Sequence, residues 1–168
     1  MRKYVMQKIS KERIYDLIFE TFDTFFEAEK AFRFGHCTIK YWFTRNTMPN
    51  LKHLVDLSNF YNVSISYLMG LTNQHNKNKE YRISNDINDI HNNVKEFFKY
   101  WSDELGTIKN VAEKFNINSM VIHQIINDRN KTITPITLYD IYKATNIYPE
   151  EILSGEFINK MKGVIEYV

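Results

Sequence analysis

The segment Thr107–Leu153 constrains this chain most, because two short apolar periodicities meet there at a single turn. Val111, Ala112 and Phe115 share one face at helical spacing. Asn116 follows, and Asn tolerates a left-handed backbone better than other residues with a side chain. Ile117 plugs the corner, and Asn118 can N-cap the next helix. In that helix Ile122 and Ile125 face inward, so Ser119, Met120, Val121 and Gln124 point outward. The small Ala112 lets the second helix cross close to the first. That spacing predicts a helix-turn-helix, the arrangement that can lay its second helix in the major groove of DNA.

Ala112, Phe115, Asn116, Ile117, Asn118, Ile122 and Ile125 resemble the helix-turn-helix of the lambda-repressor-like (Cro/repressor, XRE) family. That family usually has Gly where Asn116 stands. Leu138, Ile141, Ala144, Ile147 and Glu150–Leu153 resemble its fourth and fifth helices, so the likeness covers roughly Asp86–Leu153. It implies the fold more strongly than DNA binding, since the same scaffold also serves to bind proteins.

A second stretch repeats the first. Trp42 and Pro49, followed by Leu51, Leu54, Leu57, Phe60, Val63, Ile65, Leu68 and Met69, resemble the same family about 83 residues earlier. Ser64 fits an N-cap and Gly70 a helix stop. The fold expected is all-α, with two tandem lambda-repressor-like helix-turn-helix domains at 1–74 and 85–168. The polar stretch 75–84, the core of the join Asn73–Ser84, reads as a linker. Residues 1–10 read as a basic lead-in before a helix from Lys11 to Phe22, with Ile14, Leu17 and Ile18 inward. A helix at Thr24–Phe32 carries Phe25, Phe26 and Phe32, which with Phe34 read as core. A long helix is expected from Asp86 to Ser102, capped by Ser84 or Asn85, with Ile87, Ile90, Val94, Phe97 and Trp101 as its apolar stripe.

The first copy departs from the family pattern at its turn. In the register set by Ile39, Trp42 and Pro49, Arg33 takes the helix-ending Gly position and Glu29 the buried Ala position. Ala31 and Gly35 offer a different register, but it displaces Trp42. In the first register Gly35, His36, Cys37, Lys40 and Tyr41 face outward, with Arg45 just beyond. In the second copy the candidate DNA-contacting residues are Lys109, Asn118, Ser119, Met120, Val121, Gln124, Arg129 and Lys131. A Gln can pair bidentately with adenine, and Met or Val can touch thymine methyls.

Charge divides the halves. Residues 1–74 hold ten Lys/Arg against seven Asp/Glu, and 75–84 hold three against one. Residues 85–168 hold nine against twelve. Phosphate neutralisation favours the first half as a DNA binder, and motif quality favours the second. No apolar run reaches the roughly 20 residues of a membrane helix, and the N-terminus has no secretory block. The lone Cys37 suits a reducing cytoplasm. The five histidines lack metal-ligand spacing, and no phosphate loop or nucleophile–base arrangement stands out, so no enzyme, metal or cofactor is expected. Glu27/Glu29 and Glu150/Glu151 read as exposed helix faces. The tail carries Phe157, Ile158 and Met161 at helical spacing, with Val164, Ile165, Tyr167 and Val168 beyond; it either packs on its own domain or contacts a second copy.

The function implied is a sequence-specific double-stranded DNA-binding transcriptional regulator, a repressor of bacterial, phage or mobile-element origin, acting as a homodimer. The abundance of Ile, Asn and Lys points to an AT-rich genome. The alternative is a protein-binding inhibitor or adaptor, for example of the anti-CRISPR type, on the same scaffold.

Overall fold

The structure is a computed structural model describing residues 2–45, 47–75, 81–130 and 132–163, with side chains described from residue 11 onward. It is all-α and divides into two compact units, unit 1 (1–77) and unit 2 (78–168).

Unit 1 holds α1 (Arg2–Thr21), α2 (Phe25–Phe32), α3 (Thr38–Thr44), α4 (Leu51–Tyr61) and α5 (Ile65–Leu68). Helix α1 begins at Arg2 and takes in the stretch read as a lead-in. Nothing in 2–10 breaks a helix: there is no Gly or Pro, and Lys, Gln and Met are good helix formers. Thr24 opens α2 with a capping box, its Oγ1 accepting from the Glu27 N–H at 3.2 Å. Asn50 does the same for α4, with His53 at the reciprocal position. Ser64 Oγ accepts the Tyr67 N–H at 2.9 Å and caps α5.

The core gathers Ile14 and Ile18 of α1, Ala28 of α2, Ile39 and Trp42 of α3, and Leu54, Leu57, Ile65 and Leu68 beyond. Arg13 ties α1 to the end of α5, donating to the Tyr67 carbonyl at 2.7 Å and to Asn73 Oδ1 at 2.7 Å. Two aromatics expected inside are not. Phe26 is 64% exposed and Phe60 52%, because α2 and α4 bury their other faces.

Unit 2 holds α6 (Ile87–Leu105), α7 (Ile108–Phe115), α8 (Ser119–Ile126), α9 (Pro135–Thr145), α10 (Pro149–Leu153) and α11 (Glu156–Met161). Asp86 itself caps α6, accepting the Asn88 N–H at 2.8 Å, while Ser84 Oγ receives the Asp86 N–H. The helix continues three residues past Ser102 and stops at Gly106, whose φ of 78° suits a residue without Cβ. Ile90, Val94, Phe97 and Phe98 are buried, Phe98 unforeseen; Trp101 and Ile87 are half-buried.

Phe157 of α11 packs edge-on against Phe97 at 5.0 Å and stacks on Trp101, so the described tail folds onto its own unit. Met161 is exposed and 164–168 lie outside the described residues. Ala144, on α9, faces solvent.

Corresponding features recur at near-constant spacing. Thr24 and Thr107 cap equivalent helices, and Arg33 (φ 55°) and Asn116 (φ 54°) end them in the left-handed region. Asn62 and Asn146 do the same for α4 and α9. The described ends of the join are held within their own units. The His75 carbonyl accepts the Ser64 N–H, and Tyr81 OH accepts from Lys160 Nζ.

Candidate nucleic-acid interface

In unit 2 the turn between α7 and α8 follows from three residues. Asn116 adopts φ 54°, ψ 44°, and the next N–H, of Ile117, returns to the Ala112 carbonyl at 3.0 Å. Asn118 Oδ1 then accepts the Met120 N–H at 2.8 Å and starts α8. Val111, Ala112, Phe115, Ile122 and Ile125 are buried. The opposite side of α8 is open: Met120 is 57% exposed, Ser119, Val121 and Gln124 are half-exposed, and His123 is exposed.

The flanking cations sit at the two ends. Lys109, on the first turn of α7, is exposed and lies 3.9 Å from Glu113, a surface pair that costs little to redirect. Lys109, Glu113, Asn116, Ile117 and Ser119 line one shallow concavity at the mouth of the turn. Beyond α8, the N–H groups of Arg129 and Asn130 both donate to the Gln124 carbonyl, at 2.8 and 3.1 Å, which folds the loop back beside the helix. Arg129 is exposed there; Lys131 lies outside the described residues.

A group that sequence reasoning missed holds α8 in place. Asp128, at φ 58°, accepts from His91 Nε2 at 2.7 Å and from Lys95 Nζ, both on α6. His91 is buried. Those hydrogen bonds, from Lys95 first and His91 second, hold the Asp128 carboxyl down to about 2 from its ordinary 3.8. A depressed carboxyl stabilises the fold above its unfolded value, and that contribution is lost as pH falls through the folded value. Unit 2 should therefore lose stability as pH drops from about 4 toward 2. Asp128→Asn should flatten that part of a plot of melting temperature against pH.

Unit 1 builds its turn differently. Arg33 takes the left-handed position, as the register set by Trp42 requires. Glu29, at the family's small-residue position, is not on an exposed face. It is only 4% exposed, and its carboxylate accepts from the N–H groups of Cys37 (2.9 Å), Ile39 (2.8 Å) and Lys40 (3.3 Å).

The carboxylate occupies the space beside the start of α3 and takes its free N–H groups. Helix α3 consequently begins only at Thr38, behind a left-handed Cys37 at φ 61°. Gly35, His36 and Cys37 thus stand in the turn before the helix rather than on it. Lys40 is exposed, and the Arg45 guanidinium lies 3.8 Å above the Tyr41 ring. Reading Glu29 strictly at the Ala position would have found this feature, since a carboxylate there must meet donors.

His53 is half-buried against Phe34 and Trp42, and burial lowers its pKa; His123 is on the surface as expected. No group of three or more His, Cys, Asp or Glu among the described residues is placed to hold a metal ion, and no described helix is long and apolar enough to cross a membrane. In comparisons with known proteins, no family model, no curated protein and no solved structure matches this chain.

Proposed function

We propose that this chain is a sequence-specific double-stranded DNA-binding regulator, a repressor of bacterial, phage or mobile-element origin, built from two tandem lambda-repressor-like helix-turn-helix domains. The observation that carries the reading is the α7–turn–α8 unit, buried on one side and open from Asn118 to Gln124 on the other. Gln124 and Ser119 offer hydrogen bonds to base edges, Met120 and Val121 offer apolar contact to thymine methyls, and Asn118 ends the turn beside them. Lys109, Arg129 and Lys131 supply phosphate contacts that set the register. In unit 1, Lys40, Tyr41 and Arg45 carry the equivalent surface, with Gly35, His36 and Cys37 at its approach. A homodimer on the DNA, in the cytoplasm, would act by occluding polymerase.

Mutation separates the roles. Gln124→Ala should cost roughly 1–3 kcal/mol on the preferred duplex and relax the preference at one base pair. Lys109→Ala and Arg129→Ala should weaken all duplexes alike. Titrations of labelled duplexes with single base-pair changes read both. An unchanged sequence preference in Gln124→Ala would rule α8 out as the reader.

One observation favours a second reading, a protein-binding inhibitor or adaptor. The turn before α3 carries His36 6.5 Å from the ring of an exposed Phe26. An apolar ring in the open suits a protein surface better than phosphate.

A further inference from the structure

Helix α8 ends on a residue that its backbone does not explain. Asp128 follows the C-cap Asn127 and stands at φ 58°, in the left-handed region. Its N–H donates to the Ile125 carbonyl at 3.1 Å, and the Arg129 N–H donates to the Gln124 carbonyl at 2.8 Å. This pair of bonds is a Schellman ending, whose left-handed position is usually Gly and sometimes Asn. The chain places Asn there after α4, α7 and α9. Asp fits the conformation no better than Asn, and its charge lies at the negative end of the helix dipole. What the carboxylate touches must therefore account for it.

Both of its oxygens are taken by α6. His91 Nε2 donates to one at 2.7 Å, and Lys95 Nζ donates to the other. The two donors are four residues apart, so they lie on one face of α6. His91 is buried and Lys95 mostly so, while Asp128 is half-exposed. The clamp thus reaches from inside unit 2 to its surface. A carboxylate can hold both donors, an amide oxygen is a neutral acceptor, and glycine offers no side-chain acceptor. Arg129 is the next residue and is exposed. Its backbone is set on one side by the bond to Gln124 and on the other by the neighbour clamped to α6.

We propose that His91 and Lys95 are positioning residues, which through Asp128 hold Arg129 at the end of α8 where it meets a phosphate. The inference rests on the DNA-binding reading of α8. It places a determinant of affinity on a helix outside the helix-turn-helix. Charge alone predicts the opposite sign, because deleting an acid beside a DNA-binding helix strengthens attraction to phosphates. The clamp predicts weaker binding.

The test is duplex affinity of the full chain by fluorescence anisotropy, for Asp128→Gly and Asp128→Asn, each with and without Arg129→Ala. Both substitutions at 128 suit the left-handed backbone and remove the same charge, but only Asn keeps an acceptor for α6. Melting curves set the assay temperature well below the unfolding of every variant. Asp128→Gly should bind every duplex about tenfold more weakly than wild type, with a salt slope smaller by about one and the base preference unchanged. Asp128→Asn should lose less. Arg129→Ala should cost about tenfold in the wild type and nothing further in Asp128→Gly, since the contact it removes is already lost. Asp128→Gly at or above wild-type affinity, or equal losses from Arg129→Ala in both backgrounds, overturns the inference and leaves the reading of α8 standing. A changed base preference in Asp128→Gly overturns it too, because α8 as a whole has then shifted. A wild type that binds no duplex overturns both.

Discussion

Glu29→Ala should strongly destabilise unit 1 while leaving the stability of unit 2 unchanged. The change restores the small residue of the resembling family, yet it removes the acceptor of three N–H groups, one of them fully buried. Each buried donor left unpaired costs about 1–3 kcal/mol, and the vacated volume adds to that. The sum is about 3–5 kcal/mol, which in a unit of this size lowers the melting temperature by roughly 15 °C or more. Glu29→Gln keeps the shape and one acceptor oxygen, and should lose about half as much. Trp42 is the buried reporter in unit 1; Trp101, in unit 2, can be silenced by Trp101→Phe. A melt followed by Trp42 fluorescence checks the expectation. An unchanged midpoint in Glu29→Ala would mean that the carboxylate does not organise α3.

The second large effect is on DNA affinity. On the proposed DNA-binding reading, cations such as Lys109, Arg129 and Lys131, or Lys40 and Arg45, would make about four to eight phosphate contacts per DNA-bound unit. Counterion release then makes the affinity fall by about two to four orders of magnitude between 50 and 200 mM salt. Fluorescence anisotropy of one labelled duplex across that range reads the slope. A flat response would favour the protein-partner reading, whose apolar contacts salt does not screen.

What was legible in the sequence was local. The turn at Asn116, the cap at Asn118 and the inward Ile122 and Ile125 lie within ten residues of one another, and each has a physical signature that needs no distant partner. The same holds for the cap at Ser64. What was missed was non-local or ambiguous in sign. Glu29 is satisfied by backbone N–H groups eight to eleven residues on; its place at a buried small-residue position says that it must meet donors, but not which ones. Asp128 and His91 meet across 37 positions.

Aromatic composition says that a core can be built but not which rings stay out, so Phe26 and Phe60 were misplaced. The stripe on α6 could equally have faced a second copy, and only the packing of Phe157 on Phe97 and Trp101 assigns it to its own unit. The start of α1 was hidden because its first turns lack an apolar block, although nothing there opposes a helix.

The central claim is that α8 reads base sequence, and selection from a random pool of duplexes tests it most directly. The full chain should enrich a defined motif at moderate salt. Gln124→Ala should enrich a motif degenerate at one base pair, with Lys109→Ala and Arg129→Ala returning the wild-type motif from fewer bound molecules. Enrichment of no motif by the wild-type chain, or one motif shared by the wild type and Gln124→Ala, would contradict the account.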